Sequence, residues 1–147
     1  MGSRGTEDLE GEDFDGHSIK TSDYRGKVVV TSFWAAWCGP CMAAVPHERE
    51  LVMRMRGKPF ALIGINGDSE KSDAIKAVKK EAMTWPSIWN GTNGPYGSLA
   101  SAWSIKGWPT LYVLDPAGAT RAKFTGMHEK ELDAAVDLLV EEATRTQ

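Results

Sequence analysis

Apolar residues in this chain alternate between unbroken runs and helically spaced positions. Lys27 to Trp34 (KVVVTSFW) is β-branched and aromatic with no polar alternation, the texture of a central strand covered on both faces. Phe60 to Ile65 (FALIGI) and Thr110 to Leu114 (TLYVL) read the same way, and Thr120 to Thr125 pairs back after the turn Asp115-Pro116-Ala117-Gly118. Met42, Val45, Leu51, Val52 and Met55 recur at helical spacing to about Arg56. Pro46 falls inside that pattern and is expected to kink the helix, because it lacks an N–H and crowds the preceding turn. Asn66-Gly67-Asp68-Ser69 ends the second strand and offers Asp68 or Ser69 as the cap of a helix through Ala82. Gly91 to Gly97 reads as a loop and Leu99 to Trp103 as a short helix. Leu132, Val136, Leu139 and Val140 mark a C-terminal amphipathic helix. At the other end, Asp15-Gly16 is a turn joining two extended pieces, one around Phe14 and one over Ser18 to Thr21. The order β-α-β-α, then β-β-α, predicts an α/β fold with a central mixed β-sheet flanked by helices.

Composition narrows the class without naming a partner. The 147 residues fit one domain, and 41% hydrophobic with 25% charged residues is the balance of a soluble globular protein. A net charge of −3 with no Lys/Arg block speaks against nucleic acid. No apolar run approaches the ~20 residues that span a bilayer. Six carboxylates between Glu7 and Asp15 suggest that residues 1–12 are a flexible acidic lead-in to a domain over 13–147. Met1-Gly2-Ser3-Arg4-Gly5 reads in part as an added leader, which leaves room for a native signal or anchor upstream.

The chemistry lies in two cysteines three residues apart. A stapled secreted domain carries several spaced cysteines, and a Cys-x-x-Cys ring is too small to stabilise much. Trp37-Cys38-Gly39-Pro40-Cys41 sits where a buried strand hands over to a helix. There the unpaired N–H groups and the helix dipole favour a thiolate at Cys38, while Cys41 lies nearly one turn on and stays shielded. Cys38 then attacks a disulfide and Cys41 resolves the mixed disulfide. Zinc is a poor alternative, since there is no second cysteine pair and His17, His47 and His128 show no ligand spacing.

Phe33-Trp34-Ala35-Ala36-Trp37-Cys38-Gly39-Pro40-Cys41 resembles the active-site segment of thioredoxins. Pro46 matches that family's helix proline, and Trp108-Pro109-Thr110 resembles its cis-proline loop facing the dithiol. Sequence alone favours a trans bond before Pro109; the resemblance reverses that expectation. The segments Asp15 to Ile19, Ser22 to Val28 and Gly64 to Asp68 are similar to the TlpA/ResA-type branch, which adds an N-terminal hairpin and an inserted segment between the second and third core strands. The resemblance implies a thioredoxin-like fold and a protein disulfide reductase with no cofactor beyond a redox-active Cys38-Cys41 disulfide. It implies Trp37, Gly39, Pro40, Trp108 and Pro109 along the substrate. It further implies protein disulfide substrates, an unidentified electron donor, an extracytoplasmic, often membrane-anchored setting and a monomer.

Two departures bear on mechanism. The buried acid of thioredoxins corresponds to Ser32, and the glutamate of the ResA-like pattern to Ala44. Both usual aids to deprotonating Cys41 are absent, so slow resolution near neutral pH is expected. Water, His47 or Glu48 are the candidate substitutes, although His47 reads as a helix-surface residue and Glu48 as solvated. Trp34, Trp85, Trp89 and Trp103 read as core or loop packing, and Trp108 either as a platform with Trp37 or as packing under the Gly91 to Gly97 loop. A thiol-based metal-binding module is the alternative function. A peroxidase is disfavoured, because Thr31 to Trp37 lacks the Pro-x-x-x-Thr-x-x-Cys setting of peroxiredoxins.

Overall fold

The computed structural model describes residues 8–145. A hairpin of β1 (Glu10–Glu12) and β2 (Ser18–Lys20) precedes β3 (Val28–Trp34), α1 (Gly39–Arg54), β4 (Phe60–Asn66), α2 (Lys71–Lys80), β5 (Ser87–Trp89), α3 (Ser98–Ala102), β6 (Thr110–Leu114), β7 (Thr120–Thr125) and α4 (Glu129–Arg145). The main sheet runs β5-β4-β3-β6-β7, parallel across the first three strands and antiparallel across the last three. This is the expected mixed sheet with flanking helices.

Every residue of β3 is buried, which explains its unbroken apolar pattern. Side chains alternate faces along a strand. Val28, Val30 and Trp34 therefore enter the cluster that holds Cys38, Cys41, Val45, Leu132 and Val136. Val29 and Phe33 enter the opposite cluster with Ile63, Ile65, Ile88 and Tyr112. Ser32 shares the first face, beneath α1.

Three expectations are corrected, and one strand is added. Residues 1–7 of the acidic lead-in lie outside the described residues, but Leu9 is fully buried and Glu10–Glu12 is a strand. Leu9 joins the apolar cluster with Ile19, and that burial overrides the acidic texture around it. The first hairpin strand thus precedes Phe14, which packs in the turn region against the other cluster. The second helix is capped at Glu70 without a side-chain bond, because Asp68 is engaged elsewhere. β5 was not anticipated, as three residues after Pro86 show no period; parallel pairing to Gly64, Ile65 and Asn66 makes the strand. Pro46 lies inside α1, which runs from Gly39 to Arg54, where the apolar pattern placed it.

Candidate redox site

Cys38 is the N-cap of α1, in extended backbone conformation, and Gly39 and Pro40 form the first two helical positions. Pro40 costs no hydrogen bond there, since first-turn N–H groups have no partner inside the helix. Cys38 Sγ takes the place of a capping oxygen and accepts the Cys41 N–H at 3.2 Å. The two cysteines are joined by a disulfide, with Cα atoms 5.2 Å apart. The sequence reading placed Cys38 in the open and Cys41 under cover. In this oxidised form Cys38 is only 4% exposed and Cys41 2%, so both sulfurs are covered and the expected exposure of Cys38 is not seen. Trp37, Gly39 and Pro40 around it are exposed, Trp37 to 53%.

The segment before the dithiol is fastened to the loop after β4. Gly67 donates its N–H to the Trp34 carbonyl at 2.8 Å. Ala36 N–H donates to Asp68 Oδ2 at 2.9 Å, and Trp37 Nε1 donates to the Gly67 carbonyl at 3.0 Å. Asp68 is itself held by Asn66 Nδ2 at 2.8 Å and is almost wholly buried. The sequence reading kept Asp68 for a helix cap and missed this role. An Asn-x-Asp run ending a buried strand was the available signal.

The Trp108-Pro109 bond is cis, as the resemblance implied. Pro109 is buried and Trp108 half-buried. The Trp108 ring stands edge-on to Trp37 at 5.6 Å and to Phe33 at 6.1 Å between centroids. It lies so close over Gly67 that a Cβ there would come within 2.6 Å of it. Trp37 and Trp108 are therefore brought together beside the disulfide, and with Pro95, Tyr96 and Ile105 they line an open groove. Trp34, Trp85 and Trp103 are buried, and Trp89 donates to the Asp68 carbonyl at 2.7 Å. The Trp34 indole crosses Gly64 to donate to Ser87 Oγ at 3.1 Å.

Glu48 contradicts its expected solvation. It is 4% exposed, and Oε2 accepts a hydrogen bond from Ser32 Oγ at 3.0 Å. Loss of water pushes its carboxyl up from the ordinary 4.5 to about 7; the Ser32 bond and nearby His47 oppose the rise only in part. The residue packs at that depth because the serine in β3 leaves room for it and supplies a donor. His47 is half-buried rather than free on the surface, with Nε2 2.9 Å from Asp133 Oδ1 on α4. Among the described residues the one cluster of potential metal ligands is Asp13, Asp15 and His17 in the hairpin turn, which does not include the cysteines.

Comparison with known proteins agrees with this geometry. Residues 4–123 match the AhpC/TSA family. Thiol-disulfide oxidoreductase ResA of Geobacillus kaustophilus is 28% identical over 119 residues, covering 81% of this chain; the chain spans 66% of that relative's length. Thioredoxin-like protein YneN of Bacillus subtilis is 31% identical over 131 residues, covering 84% of this chain and 71% of YneN. A Chlorobium tepidum structure assigned as a thiol:disulfide interchange protein DsbE superposes with a TM-score of 0.80 at 25% identity, covering 96% of both chains. The chain belongs to the AhpC/TSA family, and the relatives it is similar to are a thioredoxin-like protein and thiol–disulfide oxidoreductases.

Proposed function

We propose that the chain reduces disulfides of protein substrates, with Cys38 as the attacking thiol and Cys41 as the resolving thiol. The observation that carries this reading is the disulfide itself, set on the N-cap of α1 with Cys38 Sγ held by the Cys41 N–H. In the reduced state the same N–H groups and the helix dipole favour a thiolate at Cys38. That thiolate attacks a substrate sulfur and expels the other as a thiolate. Cys41 then displaces the substrate, re-forming the Cys38–Cys41 bond, and two electrons have passed to the substrate.

An extended substrate segment lies along Trp108 and Pro109, against Trp37 and over Gly39-Pro40. The exposed indole of Trp37 and the adjoining groove support that path. The disulfide is the sole redox group in this scheme, so no further cofactor is invoked. A separate thiol donor returns the pair to the dithiol. The relatives' names, ResA and DsbE, support a setting outside the cytoplasm, and the chain acts as a monomer. None of the described helices is long and apolar enough to cross a membrane.

Reduction of insulin by the pre-reduced chain, together with trapping by a Cys41→Ser variant, tests the reading. A mixed disulfide on Cys38 is expected, and the Cys38→Ser variant is expected to trap nothing. Equal trapping by both variants, or no insulin reduction, overturns it. Purified chain that retains zinc or copper on its thiols and reduces no disulfide would favour the metal-binding alternative.

A further inference from the structure

Tyr96 stands in the open on a loop whose backbone is fully engaged. The residue is 82% exposed, the highest value among the large hydrophobic residues described. Its N–H donates to the Asn93 carbonyl at 3.1 Å, and its own carbonyl accepts the Ser101 hydroxyl at 3.3 Å. Beneath the loop, buried Asn90 donates from Nδ2 to the Gly94 carbonyl at 3.0 Å and accepts the Leu99 N–H on Oδ1 at 2.9 Å. Gly97 rests on Asn90 so closely that a Cβ there would collide with it. A Cβ on Gly94 would come within 2.8 Å of Ser69 Oγ and 3.2 Å of the Gly67 carbonyl. A satisfied buried polar group of this kind fixes a loop in one shape. The loop is thereby pressed to the same Gly67 that holds the Trp37 indole.

An aromatic ring contributes to a fold through the area it takes out of water, and Tyr96 takes out little. Rigidly displayed Tyr and Trp suit recognition instead, because they cover much area with few torsions to freeze. Tyr96 lines a groove of about 350 Å³ with Trp37, Pro95, Ile105, Lys106 and Trp108. That is the small end of ligand pockets, fit for one large side chain rather than a folded surface. Trp37 directly precedes Cys38, and Trp108 directly precedes the cis-proline, so the groove opens beside the disulfide. Lys106 is its one charged residue among those described, and it is exposed.

We propose that this groove selects among clients. It takes an aromatic side chain of an extended segment within about three residues of the reacting cysteine, roughly 10 Å along the chain. Tyr96 is the specificity-determining residue, and Lys106 favours an acidic neighbour. The proposal rests on the exchange reading above and names its substrate class. The rings of Trp37, Tyr96 and Trp108 offer edges and faces to a fourth ring between them. Lys106, at an open rim with no carboxylate beside it in the groove, discriminates acidic from basic segments, and salt weakens that discrimination.

The test uses the full reduced chain and unfolded peptides that each carry one cysteine in a disulfide with a fluorescent leaving thiol. Two residues from the cysteine, on either side, the peptides bear Phe or Ser, with Glu or Lys next to that position. In wild type the Phe peptide should show a KM about tenfold below that of the Ser peptide, with kcat alike. Tyr96→Ser should shrink the ratio to under about twofold, and Tyr96→Phe, which keeps the ring, should preserve it. Lys106→Glu should reverse the preference for Glu over Lys, and about 0.5 M salt should erase it. Equal KM for the Phe and Ser peptides in wild type, or a tenfold ratio that survives Tyr96→Ser, overturns the proposal. An unreversed preference in Lys106→Glu overturns the part assigned to that lysine. Release of the leaving thiol from none of the peptides would instead refute the exchange reading, which release without discrimination leaves standing.

Discussion

Gly67 shows how one missing methyl shapes the site. Its backbone carries the carbonyl that accepts Trp37 Nε1, and the Trp108 ring rests where its Cβ would be. Gly67→Ala should therefore cost about 1–3 kcal/mol by overpacking. Most of that cost should disappear in a Trp108→Ala background, because the clash has one partner. A double-mutant cycle in urea measures the coupling, and additive costs would refute the contact as the cause. At this scale the cysteines were legible, since spacing and placement on a strand–helix junction define them. Glu48 was not. A glutamate between His47 and Arg49 looks solvated until its partner Ser32, sixteen residues earlier on another element, is brought beneath it.

Strands were legible where an apolar run or a turn signal marked them. β3, β4, β6 and β7 were marked by runs and turns, whereas β5 owes its existence to pairing with β4 and Phe14 owes its place to the hairpin before it. The loop after β4 shows the same limit, since its polar residues read as a helix start but serve the neighbouring strand. Asp68 accepts both the Ala36 N–H and Asn66 Nδ2 in a buried setting. Asp68→Ala strands both donors and should destabilise the fold by about 1–3 kcal/mol. Amide exchange at Ala36 should rise more than at Val30, in the middle of β3. Uniform exchange across β3 and the loop would mean that Asp68 does not fasten the dithiol segment.

At the scale of the whole molecule, the displaced carboxyl of Glu48 ties stability to pH. Its value is higher in the fold than in the unfolded chain, so its contribution is fully present below pH 4.5 and declines as pH rises to about 7. Above pH 7 the loss is complete. The displacement corresponds to on the order of 3 kcal/mol. Glu48→Gln should remove that dependence, so the stability difference between wild type and variant should drift with pH over this window and level off above it. Urea midpoints of the oxidised proteins at pH 4.5, 6 and 7.5 measure it, and a constant difference would refute the shift.

The outer strands carry a consequence for the proposed exchange with protein disulfides. On one side the sheet stops at the three-residue β5, against which β1 packs, with Gly11 pressed to Ile88. On the other it stops at β7, which bears Arg121 and Lys123 and pairs with β6 through an irregular register at Val113 and Leu114. Short, covered, charged or bulged borders resist recruiting a foreign strand. With both borders managed in this way, the tryptophan-lined groove beside the disulfide is the contact that the proposed exchange leaves to an unfolded polypeptide.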